Sequence, residues 1–199
     1  PPTNNTWSRS LAVILACFNA SLTATHVEST KSLINDLTAL QERSNVYQFK
    51  TAIRVNGQEY SNGMRLKFNQ KAFDTYRSMY RSFGLGQKTG IDLPNETTGY
   101  KGRNTSPGLL LDYSIGQYDN YTPIQLSQYI NTIANGGSRY QVHLLKEVRE
   151  SSVGDLGKVI YKYEPKVLNS IDTTDEYMNR MKEGFYAVMH MSGGYGRGY

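Results

Sequence analysis

The stretch from Gly84 to Thr89 is a glycine-rich loop followed by a lysine and a threonine, residue types that bind phosphate groups. In a phosphate-binding loop, glycine directly precedes the lysine, and four residues separate it from the first glycine. Here Gln87 stands before Lys88, and no apolar strand leads into the loop. The pattern therefore favours a helix that ends at Gly84, followed by a turn that ends at Pro94, over a nucleotide site.

The histidines and the cysteine could assist catalysis or bind a metal, but their positions match no such pattern. His26, His143 and His190 are far apart, with no cysteine or aspartate at metal-ligand spacing. Cys17 is the single cysteine and cannot form an internal disulfide. A Ser-His-Asp triad assembled in space stays open, although no G-x-S-x-G elbow is present. The sequence predicts no metal site and no cofactor.

The composition is that of a folded domain rather than a disordered chain. The 199 residues are enough for one domain with a core, and 38% of them are hydrophobic. The net charge of +5 is spread along the chain without a lysine or arginine block, which favours a solvated surface over nucleic-acid binding. The apolar run 11–18 is too short to span a bilayer, which needs about twenty residues.

Amphipathic helices must position any site in this chain. Thr122 followed by Pro123 is a helix start, and Thr173 with Glu176 has the spacing of a capping box. Two β-rich runs around Gly154 and Gly157 predict a hairpin. The predicted helices cover about 36–56 with a break at Ser44-Asn45, then 69–83, 122–135 and 173–190, and the hairpin pairs 142–148 with 158–163. The helix at 69–83 carries an aromatic stripe, which is more typical of a core than of a ligand site: Phe73, Tyr76, Tyr80 and Phe83.

Several ordered motifs resemble the transpeptidase domain of class B penicillin-binding proteins, in the division-associated Gram-positive form. They are NDLTALQERSNVYQFKTAIR, GLGQKTGIDLPNETTGY, SIGQYDNYTPIQLSQYINTIANGG and KVIYKYEPKVLNSIDTTDEYMNRMKEGFYAVM. Together they extend over roughly residues 29 to 192. The resemblance implies that 29–199 is part of such a domain, and it leaves 1–28 unassigned.

The resemblance implies that one corner of the family's active site lies at the predicted helix break. The family has a Ser-x-Asn loop there, normally Ser-Ser-Asn, in which the first serine relays a proton and the asparagine binds the substrate's amide. The corresponding triplet is Arg43-Ser44-Asn45. The asparagine is kept, whereas an arginine replaces the relay serine. From the residues alone, Ser44 is equally well explained as a helix N-cap.

Two other motifs of the family's chemistry are not found. No serine in the 199 residues has a lysine three positions later, the arrangement that activates the nucleophile. The one Lys-Thr-Gly, residues 88–90, lies in the segment that resembles GxxTGIDLP and not at the family's substrate-gripping strand. By the family's order, both motifs would flank this sequence.

The resulting interpretation is a helix-rich part of an α/β domain of the serine β-lactamase and D,D-transpeptidase type, with its central antiparallel sheet largely absent. Because such helices normally cover a sheet, we expect exposed apolar side chains, among them Phe73, Ile130 and Phe185. The resemblance implies peptidoglycan stem peptides, β-lactams and division proteins as partners, at the outer face of the cytoplasmic membrane. It also implies that this chain alone forms no covalent penicillin adduct.

Two alternatives belong to other functional classes. A non-catalytic relative that binds wall peptides or division partners would agree with Arg43 and with the missing Ser-x-x-Lys motif. An unrelated binding module would require the ordered motifs to match by chance.

Overall fold

The structure is a computed structural model that describes residues 36–103, 106–194 and 196. The unassigned segment 1–28, with Cys17 and His26, lies outside the described residues. Within them the chain forms six helices and four short strands. These are α1 (Asp36–Gln41), α2 (Asn45–Val55), α3 (Gln70–Ser82), α4 (Leu109–Ser114), α5 (Pro123–Ala134), β1 (Ser138–Tyr140), β2 (Glu147–Arg149), β3 (Val159–Lys162), β4 (Val167–Ser170) and α6 (Asp175–His190).

Helix α3 carries the aromatic stripe that the sequence predicts. The Asn69 side chain caps its first turn by accepting from the N–H of Lys71 at 3.1 Å. The aromatic residues at helical spacing all point inward and are buried: Phe73, Tyr76, Tyr80 and Phe83. Gly84 adopts a left-handed φ of 97° directly after the helix, as expected for a helix end.

Helix α5 begins and ends as its sequence predicts. The Thr122 hydroxyl accepts from the N–H of Gln125 at 3.3 Å, and the Gln125 side chain accepts from the N–H of Thr122 at 3.2 Å, which completes a capping box. Pro123 occupies the first turn, and Gly136 and Gly137 follow the helix with φ of 71° and 96°. The helix prediction for this stretch is confirmed.

The predicted capping box of the last helix is wrong by one residue. Thr174, and not Thr173, is the N-cap of α6, with its hydroxyl accepting from the N–H of Tyr177 at 3.4 Å. Position 177 is a tyrosine, so its side chain cannot complete the box as Glu176 was expected to do. The helix itself is confirmed, and Met178, Met181 and Val188 face the core.

The strands form two separate antiparallel pairs, β1 with β4 and β2 with β3. The second pair is the predicted hairpin, shortened to three or four residues on each side. The first pair is non-local and was not predicted; in it Arg139 lies opposite Asn169 and Ser138 opposite Ser170. The described part of the chain is therefore rich in helix with only small sheets, which confirms the predicted fold class.

A continuous core joins the helices, and tyrosines dominate it. The ring centroids of Tyr80 and Tyr113 lie 5.0 Å apart, edge to face, and the Tyr80 hydroxyl donates to the Tyr113 carbonyl at 2.9 Å. Phe73 is only 1% exposed, so the prediction that it is exposed is wrong: α4 and the loop that follows it bring Tyr113 and Tyr118 against it. Ile130, in contrast, is 43% exposed as predicted.

The first and last described helices pack side by side. A Cβ placed on Gly184 of α6 would lie 2.2 Å from a methyl carbon of Leu40 in α1, so the glycine permits the close approach. No helix in the described residues is long and apolar enough to cross a membrane.

Candidate functional site at the turn between α1 and α2

Helix α1 ends in a Schellman-type turn centred on Arg43. The Arg43 N–H donates to the Leu40 carbonyl at 3.2 Å, and the Ser44 N–H donates to the Ala39 carbonyl at 2.9 Å. Arg43 adopts a left-handed φ of 56°, a conformation that costs a non-glycine residue about 1–2 kcal/mol. The two hydrogen bonds fix the direction in which the chain leaves α1.

Ser44 is the N-cap of α2. Its backbone is extended, its hydroxyl accepts from the N–H of Tyr47 at 3.3 Å, and the residue is 4% exposed. The hydroxyl is thus engaged with the first turn of the helix. No other hydrogen bond of this hydroxyl occurs among the described residues.

Asn45 is the first residue of α2 and is exposed. Within the described part of the chain, its side-chain amide makes no hydrogen bond. An amide presents both donors and acceptors, so it can bind the N–H and the C=O of a peptide group. The turn therefore brings together the three residues of the predicted triplet, with Asn45 open to a ligand and Arg43 half-buried beside it.

Gln48 lies one helical turn after Ser44 and was missed by the sequence analysis. It is fully buried, yet neither its amide nitrogen nor its amide oxygen has a hydrogen-bond partner among the described residues. Buried amides are normally paired, because an unpaired one costs about 1–3 kcal/mol. The sequence feature that could have revealed this residue is a glutamine on the apolar face of α2, which also carries Ala52 and Val55.

The Lys88-Thr89-Gly90 segment is not a strand, and only its threonine is buried. The Glu96 carboxylate accepts from the N–H and the hydroxyl of Thr89, both at 2.6 Å, and from the N–H of Gly90 at 3.2 Å. Burial alone would raise the pKa of Glu96, but these hydrogen bonds outweigh it and hold the pKa below its usual range. The Thr89 hydroxyl is thus occupied inside the protein, and Lys88 is exposed.

Asp92 anchors the loop before β2 in the same way. Its two carboxylate oxygens accept from the N–H groups of Leu144 and Leu145 at 2.7 and 2.8 Å. These two hydrogen bonds lower the pKa of Asp92. The acidic residues of the IDLPNE segment therefore hold two loops in place.

His143 and His190 lie in separate places, and each stacks on a tyrosine. The ring centroids are 3.5 Å apart for His143 with Tyr163 and 4.1 Å for His190 with Tyr186. No group of three or more potential metal ligands occurs in the residues that the structure describes.

The helix-rich fold is that of part of a penicillin-binding transpeptidase domain. The family profile named "Penicillin binding protein transpeptidase domain" matches residues 19–199. The chain belongs to this family.

Individual relatives agree with the family assignment. Over 152 residues the chain is 51% identical to Penicillin-binding protein 2A of Bacillus subtilis, covering 76% of this chain and 21% of that protein. A solved structure of Penicillin-binding protein 2B from Streptococcus pneumoniae superposes with a TM-score of 0.80 at 29% identity, covering 95% of this chain and 35% of that one.

A more distant structure, the complex between Penicillin-binding protein 2 and MreC from Helicobacter pylori, has a TM-score of 0.56 at 22% identity, over 94% of this chain and 35% of that one. At that identity it shows the shared fold alone. The chain spans about a fifth of the length of the curated relative above.

Proposed function

We propose that this chain is the helical part of a D,D-transpeptidase domain that cross-links peptidoglycan, and that the turn at 43–45 forms one corner of its substrate site. The observation that carries the proposal is the position of Asn45. It stands exposed at the first residue of a helix, directly after a buried N-cap, in the triplet where the family has Ser-x-Asn.

In this proposal Asn45 orients the substrate. Its amide hydrogen-bonds a peptide group of the stem peptide, or the corresponding amide of a β-lactam. A serine outside the 199 residues attacks the D-Ala-D-Ala carbonyl and expels the terminal D-alanine. An amine of a neighbouring stem peptide then attacks the acyl-enzyme and releases the serine.

Arg43 changes this corner in two opposing ways. A permanent guanidinium charge near the lysine that accepts the serine proton favours the neutral, basic form of that lysine. The arginine is also much larger than serine and cannot relay a proton. We expect the crowding and the lost proton relay to outweigh the gain in lysine basicity, so that acylation is slower than with serine at position 43.

Gln48 supports the proposal that further chain completes the domain. Its buried amide has no partner in the described residues, although it lies only one turn from the site. The family's Ser-x-x-Lys motif is absent from the 199 residues, and the chain covers 21% of its Bacillus subtilis relative. A segment that supplies the nucleophile would also be placed to pair with Gln48.

The partners and the location follow from the same proposal. They are stem peptides and β-lactams at the site, with the protein at the outer face of the cytoplasmic membrane. A division or shape protein is a further partner, supported by the fold shared with the relative solved as a complex with MreC. The alternative, a non-catalytic wall-binding relative, is favoured by Arg43 and by the missing Ser-x-x-Lys motif.

A chimera tests the proposal. The matching segment of Penicillin-binding protein 2A of Bacillus subtilis is replaced by this chain, and labelled penicillin is detected by denaturing-gel fluorescence and intact mass. We expect a covalent adduct on the chimera and none on the isolated chain. Arg43→Ser should raise the acylation rate, and Asn45→Ala should lower it by roughly tenfold or more, the effect of one lost hydrogen bond in the transition state.

The matched control is Asn62→Ala, which removes an exposed asparagine from a turn away from the site. A chimera that folds but stays unlabelled even with Arg43→Ser would establish the non-catalytic alternative. A stoichiometric adduct on a serine of the isolated chain would contradict the proposal that the nucleophile lies outside it.

A further inference from the structure

A cavity of about 150 Å³ lies beside helix α3, and no residue of the turn at 43–45 lines it. The end of α3, the turn at Gly86 and the segments 98–101 and 119–121 surround it. Tyr100 and Lys101 are exposed, so the cavity reaches the surface. Its volume is well above the ~10–15 Å³ that a single water molecule needs. It can therefore hold a small polar group.

Tyrosine rings form the rigid inner wall of the cavity. Tyr80 packs edge to face against Tyr113, at 5.0 Å between centroids, and against Tyr121, at 6.1 Å. Burial, and next the charge of Asp119, raise the pKa of Tyr113 far above its usual range, so its phenol stays neutral. A neutral wall of low dielectric constant strengthens the field of nearby charges.

The deepest charges of the cavity neutralise each other. Arg77 lies 3.6 Å from the Asp119 carboxylate, and their side chains are only 16% and 7% exposed. Arg77 also donates to the Gly102 carbonyl at 2.9 Å, and Asp119 accepts from the Gly102 N–H at 2.8 Å. This pair holds the 98–102 segment against α3 and adds no net charge.

Two further cations line the cavity. Arg81 and Lys101 form no ion pair with any acidic side chain in the described residues, and both are exposed. The cavity thus has an excess of two positive charges beside a neutral aromatic wall. An arginine and a lysine placed together bind oxyanions, the arginine through paired N–H groups and the lysine as a compact charge.

We propose that this cavity binds an oxyanion group, a carboxylate or a phosphate, held by Arg81 and Lys101 against the tyrosine wall. The site is separate from the transpeptidase corner, since the two share no residue. Carboxylate and phosphate share the chemistry that the cavity recognises, and both occur on cell-envelope polymers. The experiment below distinguishes carboxylate from phosphate binding.

The folded chain is titrated at constant ionic strength with inorganic phosphate, with N-acetylglutamate and with neutral N-acetylglutamine. Calorimetry gives the affinity, and NMR follows the amide signals of Gly86 and Gly99. We expect saturable binding of phosphate, of N-acetylglutamate or of both, and no binding of N-acetylglutamine. Binding of one anion alone identifies which group the site prefers.

The double variant Arg81→Ala/Lys101→Ala should weaken anion binding by at least about tenfold, because it removes two charge-assisted contacts. The matched control Arg65→Ala/Lys158→Ala removes the same charge from exposed positions outside the cavity. It should change the affinity by no more than about twofold, since distant exposed charges are screened.

Circular dichroism checks that each variant is folded. Lys101→Glu, a charge reversal at an exposed loop residue, is a second variant that should also weaken anion binding. The proposal is overturned if neither anion binds saturably. It is equally overturned if both double variants weaken binding to the same degree, because the attraction would then be general to a cationic protein.

Discussion

Asp36 and Arg180 form an ion pair with two contacts that joins α1 to α6 across 144 residues of sequence. One guanidinium nitrogen, Nη2, lies 2.6 Å from Oδ1, and Nε contacts Oδ2. The two side chains are 21% and 39% exposed, so solvent screens the pair in part. The pair fixes the rotation of α6 on α1 about the close contact between Gly184 and Leu40.

This ion pair should make stability depend on acid. The hydrogen bond from Arg180 lowers the pKa of Asp36, partial burial opposes it, and the charge of Arg180 adds to it. Because the folded pKa lies below the unfolded value of ~3.9, the stabilisation is complete above that value and is lost as the pH falls through the folded pKa.

We therefore expect Asp36→Asn to lower the free energy of unfolding by about 1 kcal/mol at pH 7, a figure already reduced for solvent screening. Urea unfolding of both proteins at several pH values measures the difference, which should shrink below pH ~4. Asp155→Asn, at an exposed turn, is the control. An equal loss at pH 3 and pH 7 would exclude the ion pair as the cause.

Arg43 offers a test of backbone strain. Arg43→Ala and Arg43→Gly both remove the side chain, but only glycine adopts the φ of 56° without a Cβ clash. We expect Arg43→Gly to be more stable than Arg43→Ala by about 1 kcal/mol in urea unfolding. The same pair of changes at Arg65, an exposed arginine that is not among the positive-φ residues, should show no such advantage for glycine.

Replacing Gln48 should change the stability in opposite directions in the isolated chain and in a chimera. In the isolated chain, Gln48→Met replaces a buried amide that has no partner among the described residues with an apolar group of similar size, and we expect a gain of about 1 kcal/mol. In the chimera with the Bacillus subtilis protein, the same change should lower the unfolding temperature, because it removes a paired amide. Destabilisation in both contexts would show that Gln48 is already satisfied in the isolated chain. Gln70→Met, at an exposed position, is the control.

Glu96 should be needed to hold the TGIDLP turn. In Glu96→Gln the amide oxygen can still accept from Thr89, but the amide nitrogen would face the N–H of Gly90 as a second donor. We expect a loss of about 1 kcal/mol and faster amide exchange at Thr89 and Gly90. Glu150→Gln, at an exposed position, should leave both measurements unchanged. Unaltered exchange in Glu96→Gln would refute the role of the carboxylate.

Local signals predicted the helices well because each helix start and end is determined by a few neighbouring residues. Thr122-Pro123 and the stripe of α3 are examples. The Thr173-Glu176 capping box failed because two consecutive threonines compete to cap α6, and only the three-dimensional entry of the chain selects Thr174.

Non-local features could not be predicted in this way. The pairing of β1 with β4 joins segments of three and four residues that lie some thirty positions apart, as the contact of Arg139 with Asn169 shows. The burial of Phe73 depends on Tyr113, and the cavity depends on loops that meet α3. At the candidate site, the motif predicted Asn45 at the helix start, but the sequence signal for Gln48, a glutamine on the apolar face of α2, gains its meaning only from the burial of that side chain.

The turn between β2 and β3 has a consequence for how the protein can be divided. Every residue from Glu150 to Leu156 is exposed, and Val153 makes almost no contact with the rest of the protein. A protease that cuts there severs the backbone at a place that holds no core side chain. The smaller piece keeps β4 and α6, which pair with β1 and pack on α1 of the larger piece. The larger and the smaller piece, expressed separately and divided at Gly154, should therefore reassemble without a covalent link.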